Sequence, residues 1–357
     1  YTDIDDPSEY FHTQLYTGNA TARSITNSAN AGNFQPDWLW IKVRNNANNH
    51  RVFDSSRGAN LDLVTNLTQA DSDSTDRCTG FDANGFSLGV NAEVNSNTHN
   101  IVAWQWKCNG GTTATNDASS TSIGTIDSVI QANTTAGFSI VTYTGTTSAG
   151  TIAHGLGAVP RMIIIKNRDD GAENWAVYHA GIASDAETDY LYLDSTNAAA
   201  DDANLFNDTA PTSTVFSIGT SGVVNQAEAH IAYCFAEKQG YSKFGSYVGN
   251  GNADGPFIYT GFKPAWIMFK NTEQAGGQWF IHDNKRETFN PSNSSLFAEN
   301  SQVETADNSA LDIDFLSNGF KKRNTGSGAN NDGITYIYMA FAESPFVSSK
   351  GVPTTAR

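Results

Sequence analysis

Pro160-Arg-Met-Ile-Ile-Ile-Lys166 decides how this chain is read, because it is written three times. Met162 to Lys166 is an apolar run ending in lysine. Trp38 to Lys42 behind Pro36 and Trp266 to Lys270 behind Pro264 are its counterparts. Upstream of each proline stands a tyrosine–glycine signal: Tyr16-Thr17-Gly18, Tyr143-Thr144-Gly145 and Tyr247-Val248-Gly249, at offsets of 20, 17 and 17 residues. Downstream, a second apolar strand closes each unit: Ile101 to Trp106, Ile231 to Phe235 and Tyr336 to Phe341. A repeat of this length suits an array of small domains rather than a solenoid.

The runs are short, β-branched and aromatic, and Asn, Asp, Gly and Ser bound them, as for buried strands. Few windows carry an amphipathic helical stripe, and Gln69 to Asp76 and Ala183 to Glu187 are expected to hold a helical turn each. The expected fold is all-β: three tandem antiparallel β-sandwich modules of jelly-roll or lectin-like type. Boundaries fall at 1–109 for module one, 110–136 for a polar low-complexity linker, 137–237 for module two, 238–343 for module three and 344–357 for an extended tail.

Charged residues make up 16% of the 357 and the net charge is −16. That balance works against nucleic-acid binding, which needs Lys and Arg to displace counterions, and against docking on anionic membranes. No run approaches the length of a membrane span, and the acidic first residues lack the features of a signal peptide. The three cysteines, Cys78, Cys108 and Cys234, form no paired framework; Cys234 lies inside an apolar strand, where a small buried hydrophobe is expected.

Candidate sites are few. Gly85-Phe-Ser87-Leu-Gly89 matches a nucleophile-elbow pattern, but no helix-like segment follows and its counterparts in the other modules read as strands. Asn174-Trp-Ala-Val-Tyr-His179 and Gln278-Trp-Phe-Ile-His-Asp283 repeat a tryptophan that module one replaces by His50. A core role is one reading of these tryptophans. The other is a glycan platform built from Trp175, Tyr178, His179, Trp279, His282 and Asp283. Asp54 with Arg57, and Asp283 with Arg286, stand three apart and are expected to close a turn through a charged hydrogen bond. Histidine spacing matches no metal motif. Asp71, Asp73 and Asp76 are spaced like calcium ligands but lack the glycine and closing glutamate of an EF-hand loop. No cofactor is expected.

The stretch Tyr233-Cys-Phe-Ala-Glu-Lys-Gln-Gly-Tyr-Ser-Lys-Phe-Gly-Ser-Tyr-Val-Gly-Asn-Gly resembles repeat-containing virion proteins of marine tailed bacteriophages. Phe34-Gln-Pro-Asp-Trp, His154-Gly-Leu-Gly, Gly261-Phe-Lys-Pro-Ala-Trp, Tyr338-Met-Ala-Phe-Ala-Glu and Lys350-Gly-Val-Pro agree with it. The resemblance covers nearly the whole chain and brings no catalytic set. It implies a structural, tail-fibre-like protein on the virion surface, with other virion proteins and a host surface glycan as partners. Self-association as a homotrimer is the preferred assembly, by analogy with phage fibres. Two alternatives stand beside host adhesion. One is a head decoration protein, in which three modules of one chain mimic a trimer on a pseudo-threefold position. The other is a glycan depolymerase using a carboxylate pair such as Asp283 with Glu287.

Overall fold

The computed structural model describes residues 2–28, 32–326 and 328–354. Each module centres on one antiparallel sheet whose strands keep the same spatial order. An opening strand (Phe11–Thr17, Phe138–Thr144, Ser242–Val248) pairs with a return strand (Asn100–Trp106, Ala229–Phe235, Thr335–Pro345). The return strand pairs with the lysine strand (Trp38–Val43, Met162–Asn167, Phe262–Asn271), and that with a companion strand (Arg51–Asp54, Trp175–His179, Phe280–Asp283). Register is also shared. Trp38 lies opposite Trp106 and Asp54, Met162 opposite Phe235 and His179, and Trp266 opposite Phe341 and Asp283.

A small second sheet covers one face of each large one. Its strands are Arg23–Thr26, Gly85–Leu88 and Cys78–Asp82 in module one, and Gly150–Ala153 with Val215–Ile218 in module two. In module three they are Phe257–Tyr259, Gly319–Lys322 and Ile313–Leu316. Leu39, Ile41, Val43 and Phe53 pack against Phe86 and Leu88 between the two layers of module one, giving the sandwich. The opposite face of each large sheet is buried as well. Trp38, Trp106, Met162, Phe235, Trp266 and Phe341 belong to a single core that all three modules share. Burial on both faces is why the runs are continuously apolar instead of alternating.

The repeated tyrosine and glycine have a common job. The phenol of Tyr16 donates to the Val94 carbonyl at 2.7 Å, that of Tyr143 to Val224 at 2.7 Å and that of Tyr247 to Ala329 at 3.1 Å. Gly18, Gly145 and Gly249 let the chain pass so close to the backbone of Ser96, Gln226 and Asn331 that a Cβ would overlap a carbonyl oxygen. A buried asparagine, Asn95, Asn225 or Asn330, then ties the same corner: its amide donates to two carbonyls and its oxygen accepts from the backbone of Asn19, Thr146 or Asn250. Sequence identity between the modules is spent on this corner and on the shared core.

Three segments differ from expectation. The 110–136 stretch carries strands Ala114–Asn116 and Ser128–Asn133, which extend the large sheet of module two beyond its opening strand. Its polar composition hides this, because buried positions there are held by Ser128 and Gln131. Gln131 accepts from the backbone of Asn109 and Gly111, fixing the crossing from module one. The stretches expected as helical turns are not helical: Ser72–Asp73 is a short strand paired with Leu61 and Asp62, and 183–187 is a bend followed by hydrogen-bonded turns. At the other end, Ser349 donates to the Asp5 carboxylate, drawing the tail onto the N-terminal segment; residues 355–357 lie outside the described residues. Among the described residues, no helix is long and apolar enough to cross a membrane.

Candidate functional site

The three modules close on one another in a ring, and the residues singled out from the sequence sit in its seams. The ring at the start of each companion strand, or just before it, reaches into the preceding module. Trp175 of module two donates its indole N–H to the Val64 and Leu67 carbonyls of module one, at 3.0 and 3.2 Å. Trp279 of module three donates to Tyr192 of module two at 2.9 Å. His50, at the same position in module one, faces the Phe297 backbone of module three, which closes the cycle.

The far end of the companion strand meets a neighbouring return strand in the same rotation. The Tyr233 hydroxyl of module two donates to Asp54 of module one at 2.8 Å. The Trp104 indole of module one donates to Asp283 of module three at 3.0 Å. His179 of module two meets the Tyr338 carbonyl of module three at 3.1 Å. One backbone hydrogen bond also recurs at each seam: Asp71 N–H to Arg168, Glu304 N–H to Arg44 and Ala199 N–H to Thr272, at 2.7, 2.8 and 2.7 Å. The arrangement is a pseudo-threefold built by a single chain.

This placement corrects the platform expectation. Trp175, Tyr178, His179, Trp279, His282 and Asp283 are all at most 4% exposed, so none offers a ring face or a carboxylate to a sugar. The two tryptophans are covered by the neighbouring module, and Tyr178 and His282 pack on Phe206 and Phe269 of their own modules. Asp283 is closed in by Arg286 at 2.5 Å and by Trp104, so it cannot flank a glycosidic bond with Glu287. The expected turns do form: Arg57 bonds Asp54 at 2.5 Å and Arg286 bonds Asp283 likewise, both pairs essentially without exposure. Desolvation opposes the Arg57 charge, but Asp54, the Tyr233 phenol and Asp71 together raise its pKa above the ordinary value.

The calcium-like carboxylates are employed separately. Asp71 sits between Arg57 at 2.5 Å and Arg168 at 2.6 Å, Asp76 accepts from Ser74 and Asn91, and Asp73 is exposed on its two-residue strand. Among the described residues, no group of three His, Cys, Asp or Glu is arranged to hold a metal. Ser87 of the elbow-like sequence lies in a strand and bonds Asp82 and Ser24, with no histidine base. Cys78, Cys108 and Cys234 are free and buried.

Among the described residues, a cleft of about 950 Å³ opens on module three, and Glu287 is the one residue of its lining that the sequence singled out. The 284–295 loop forms one wall, and the ends of strands Ile313–Leu316 and Thr335–Pro345 complete it. The corresponding loops are 55–57 in module one and 180–188 in module two. Phe289 stands at its edge, 85% exposed. Burial alone would raise the Glu287 carboxyl, yet hydrogen bonds from Ser294 and the Asn293 backbone hold it below the usual carboxylate range. Lys263 and Glu343 pair across another wall at 2.5 Å, each about one-third exposed.

Fold and seams define an all-β protein whose three sandwich modules close around one axis. The chain belongs to the family described as Domain of unknown function (DUF7483), whose match runs over residues 6–345 and so takes in all three modules as one unit. No curated protein and no solved structure matches it.

Proposed function

We propose that this chain is a non-catalytic structural protein of a tailed-phage particle, displayed on the virion surface and used for host adhesion as a tail fibre or receptor-binding component. One observation carries the reading. The residues that repeat between modules are spent on corners, seams and the shared core, while the loop after the companion strand differs in length in every copy, from 55–57 through 180–188 to 284–295. A rigid frame holding unlike loops is how β scaffolds present recognition surfaces. The resemblance of the Tyr233–Gly251 stretch to phage virion proteins supplies the setting. Weak binding per copy, multiplied over copies on a particle, would give avidity.

The pseudo-threefold favours a second reading, a head decoration protein. One chain already offers a threefold-like footprint of the kind a capsid lattice presents, without a homotrimer. The two readings separate in a binding assay. Adhesion expects purified protein to bind host cells and ignore tailless expanded capsids; decoration expects the reverse. Protein that binds neither removes both. Sedimentation adds a check, since a fibre component is expected as a homotrimer and a decoration unit as a single chain.

A further inference from the structure

We propose that the module-three cleft binds a neutral saccharide, such as a host-surface glycan would provide; its biological use, though not the binding, rests on the adhesion reading. The cleft volume of about 950 Å³ lies within the roughly 300–1,000 Å³ that accommodates small organic ligands. Its distinguishing feature is a braced aromatic ring. Phe289 has the highest exposure of the exposed large hydrophobic side chains, and the loop on either side of it is tied down. Glu287 accepts from the backbone of Asn293 and Ser294 and from the Ser294 hydroxyl. Asn290 brackets Phe315, donating to its carbonyl and accepting from its N–H, both at 2.9 Å. A loop fixed this way holds the ring outward instead of letting it fold in, which suits stacking on the C–H face of a pyranose.

The polar groups around the ring are mixed in sign. Asn284 and Asn318 are among the residues of its walls and add amide-bearing side chains to the lining. Lys263 and Glu343 offer a donor and acceptors side by side. A phosphorylated or sulfated ligand would meet Glu287 and Glu343, and an apolar peptide would leave the amides unpaired. A neutral, hydroxyl-rich ligand meets neither cost.

The test is saturation-transfer difference NMR on the full chain with a panel of neutral tetrasaccharides built from glucose, galactose, mannose and N-acetylglucosamine. At least one member is expected to bind in the millimolar range. Phe289→Ala should weaken it about tenfold, the value of one stacking contact. Phe289→Trp should retain it, and Asn318→Ala should weaken it. Because Phe289 is exposed, Phe289→Ala should melt as the wild type does. No binding by any panel member, or equal binding by Phe289→Ala, overturns the site. Host-cell binding, measured in parallel, separates the two claims. If cells bind wild type and Phe289→Ala equally, adhesion stands and its use of this site falls. If Phe289-dependent saccharide binding occurs without cell binding, the site stands and adhesion falls.

Discussion

Two seams of the ring are locked by chains of charge and the third is neutral. Between modules one and two, Asp54, Arg57, Asp71 and Arg168 alternate in sign along successive contacts of 2.5, 2.5 and 2.6 Å. Between modules three and one, Asp283, Arg286, Glu304 and Arg44 do the same at 2.5, 2.5 and 2.7 Å. Between modules two and three the corresponding places hold His179, Ala199 and Thr272, yet the recurring backbone hydrogen bond is kept at 2.7 Å. The backbone frame therefore makes the seam, and the charges are a substitution that works only as a set. Breaking a set should show the largest effect. Asp54→Ala leaves Arg57 and the Tyr233 hydroxyl buried without their partner, and a loss of about 3–5 kcal/mol is expected in urea unfolding. Asp54→Ala with Arg57→Met should lose less than Asp54→Ala alone; a double variant worse than the single would show that the charges do more than satisfy each other.

Acid should attack the neutral seam. His179 accepts from the Gly181 N–H at Nδ1, so its proton is on Nε2, facing the Tyr338 carbonyl. A second proton would have to enter at Nδ1, where a donor already points. Burial, opposed in part by the Tyr338 carbonyl and reinforced by Arg161, lowers its pKa to about 4. The unfolded chain takes up this proton near the ordinary value of about 6.5, so stability is full above that pH and falls as pH drops toward 4. The His179 share is about 3 kcal/mol. His12 and His154 are also lowered to about 4 by burial, so the measurement is a difference. His179→Gln, whose amide can still reach Tyr338, should lose less stability than wild type between pH 7 and pH 4. Parallel pH profiles would clear His179 of the effect.

How much of this was legible follows from where each signal lives. The strands, the three modules and the charged turns at Asp54 and Asp283 could be read because apolar runs and i, i+3 charges are local. The ring could not. Its seams join residues such as Trp175 and Val64, and half of each contact is a backbone carbonyl, which has no sequence signature. Alternation told which residues share a face but not that another sheet covers it, so for Trp175 and Trp279 the platform reading stayed open beside the favoured core reading. The cleft was missed for the opposite reason: Thr288-Phe-Asn-Pro-Ser292 is polar loop sequence, and Glu287 beside it was read only as a carboxylate partner for Asp283.

The contrast between modules continues inside the sandwiches. Lys322 occupies the place of Leu88 and Ile218 in the small sheets and is equally buried. Its ammonium has no hydrogen-bond partner and lies 3.8 Å from the centre of the Phe269 ring, and burial pushes its pKa well down. His282 stands where modules one and two have Phe53 and Tyr178, and its Nε2 is likewise unpartnered. Lys322→Leu should restore the apolar arrangement of the other modules and gain about 2 kcal/mol at neutral pH. The gain should shrink as pH rises toward 10.5, where the unfolded lysine also becomes neutral. A destabilised Lys322→Leu would mean that the module-three core is shaped around the amine.

The smallest expected effect tests whether the seam tryptophans act through their N–H groups or through their bulk. Trp175→Phe keeps an aromatic side chain in the seam but removes the one N–H shared by the Val64 and Leu67 carbonyls, of which Val64 still accepts from the Leu67 N–H, while Trp279→Phe removes the N–H given to Tyr192. Each substitution removes one donor worth about 1 kcal/mol, so Trp175→Phe and Trp279→Phe should cost about the same. Module one already holds His50 in this place, where the ring is smaller and its Nδ1 accepts from the Trp40 indole at 2.9 Å. Trp175→His therefore asks whether the histidine solution transfers. Its partner position is Ile164 where module one has Trp40, so no indole is available to bond the ring. Trp175→His should be the worst of the three, and equal stability of Trp175→His and Trp175→Phe would show that seam volume does not set the cost.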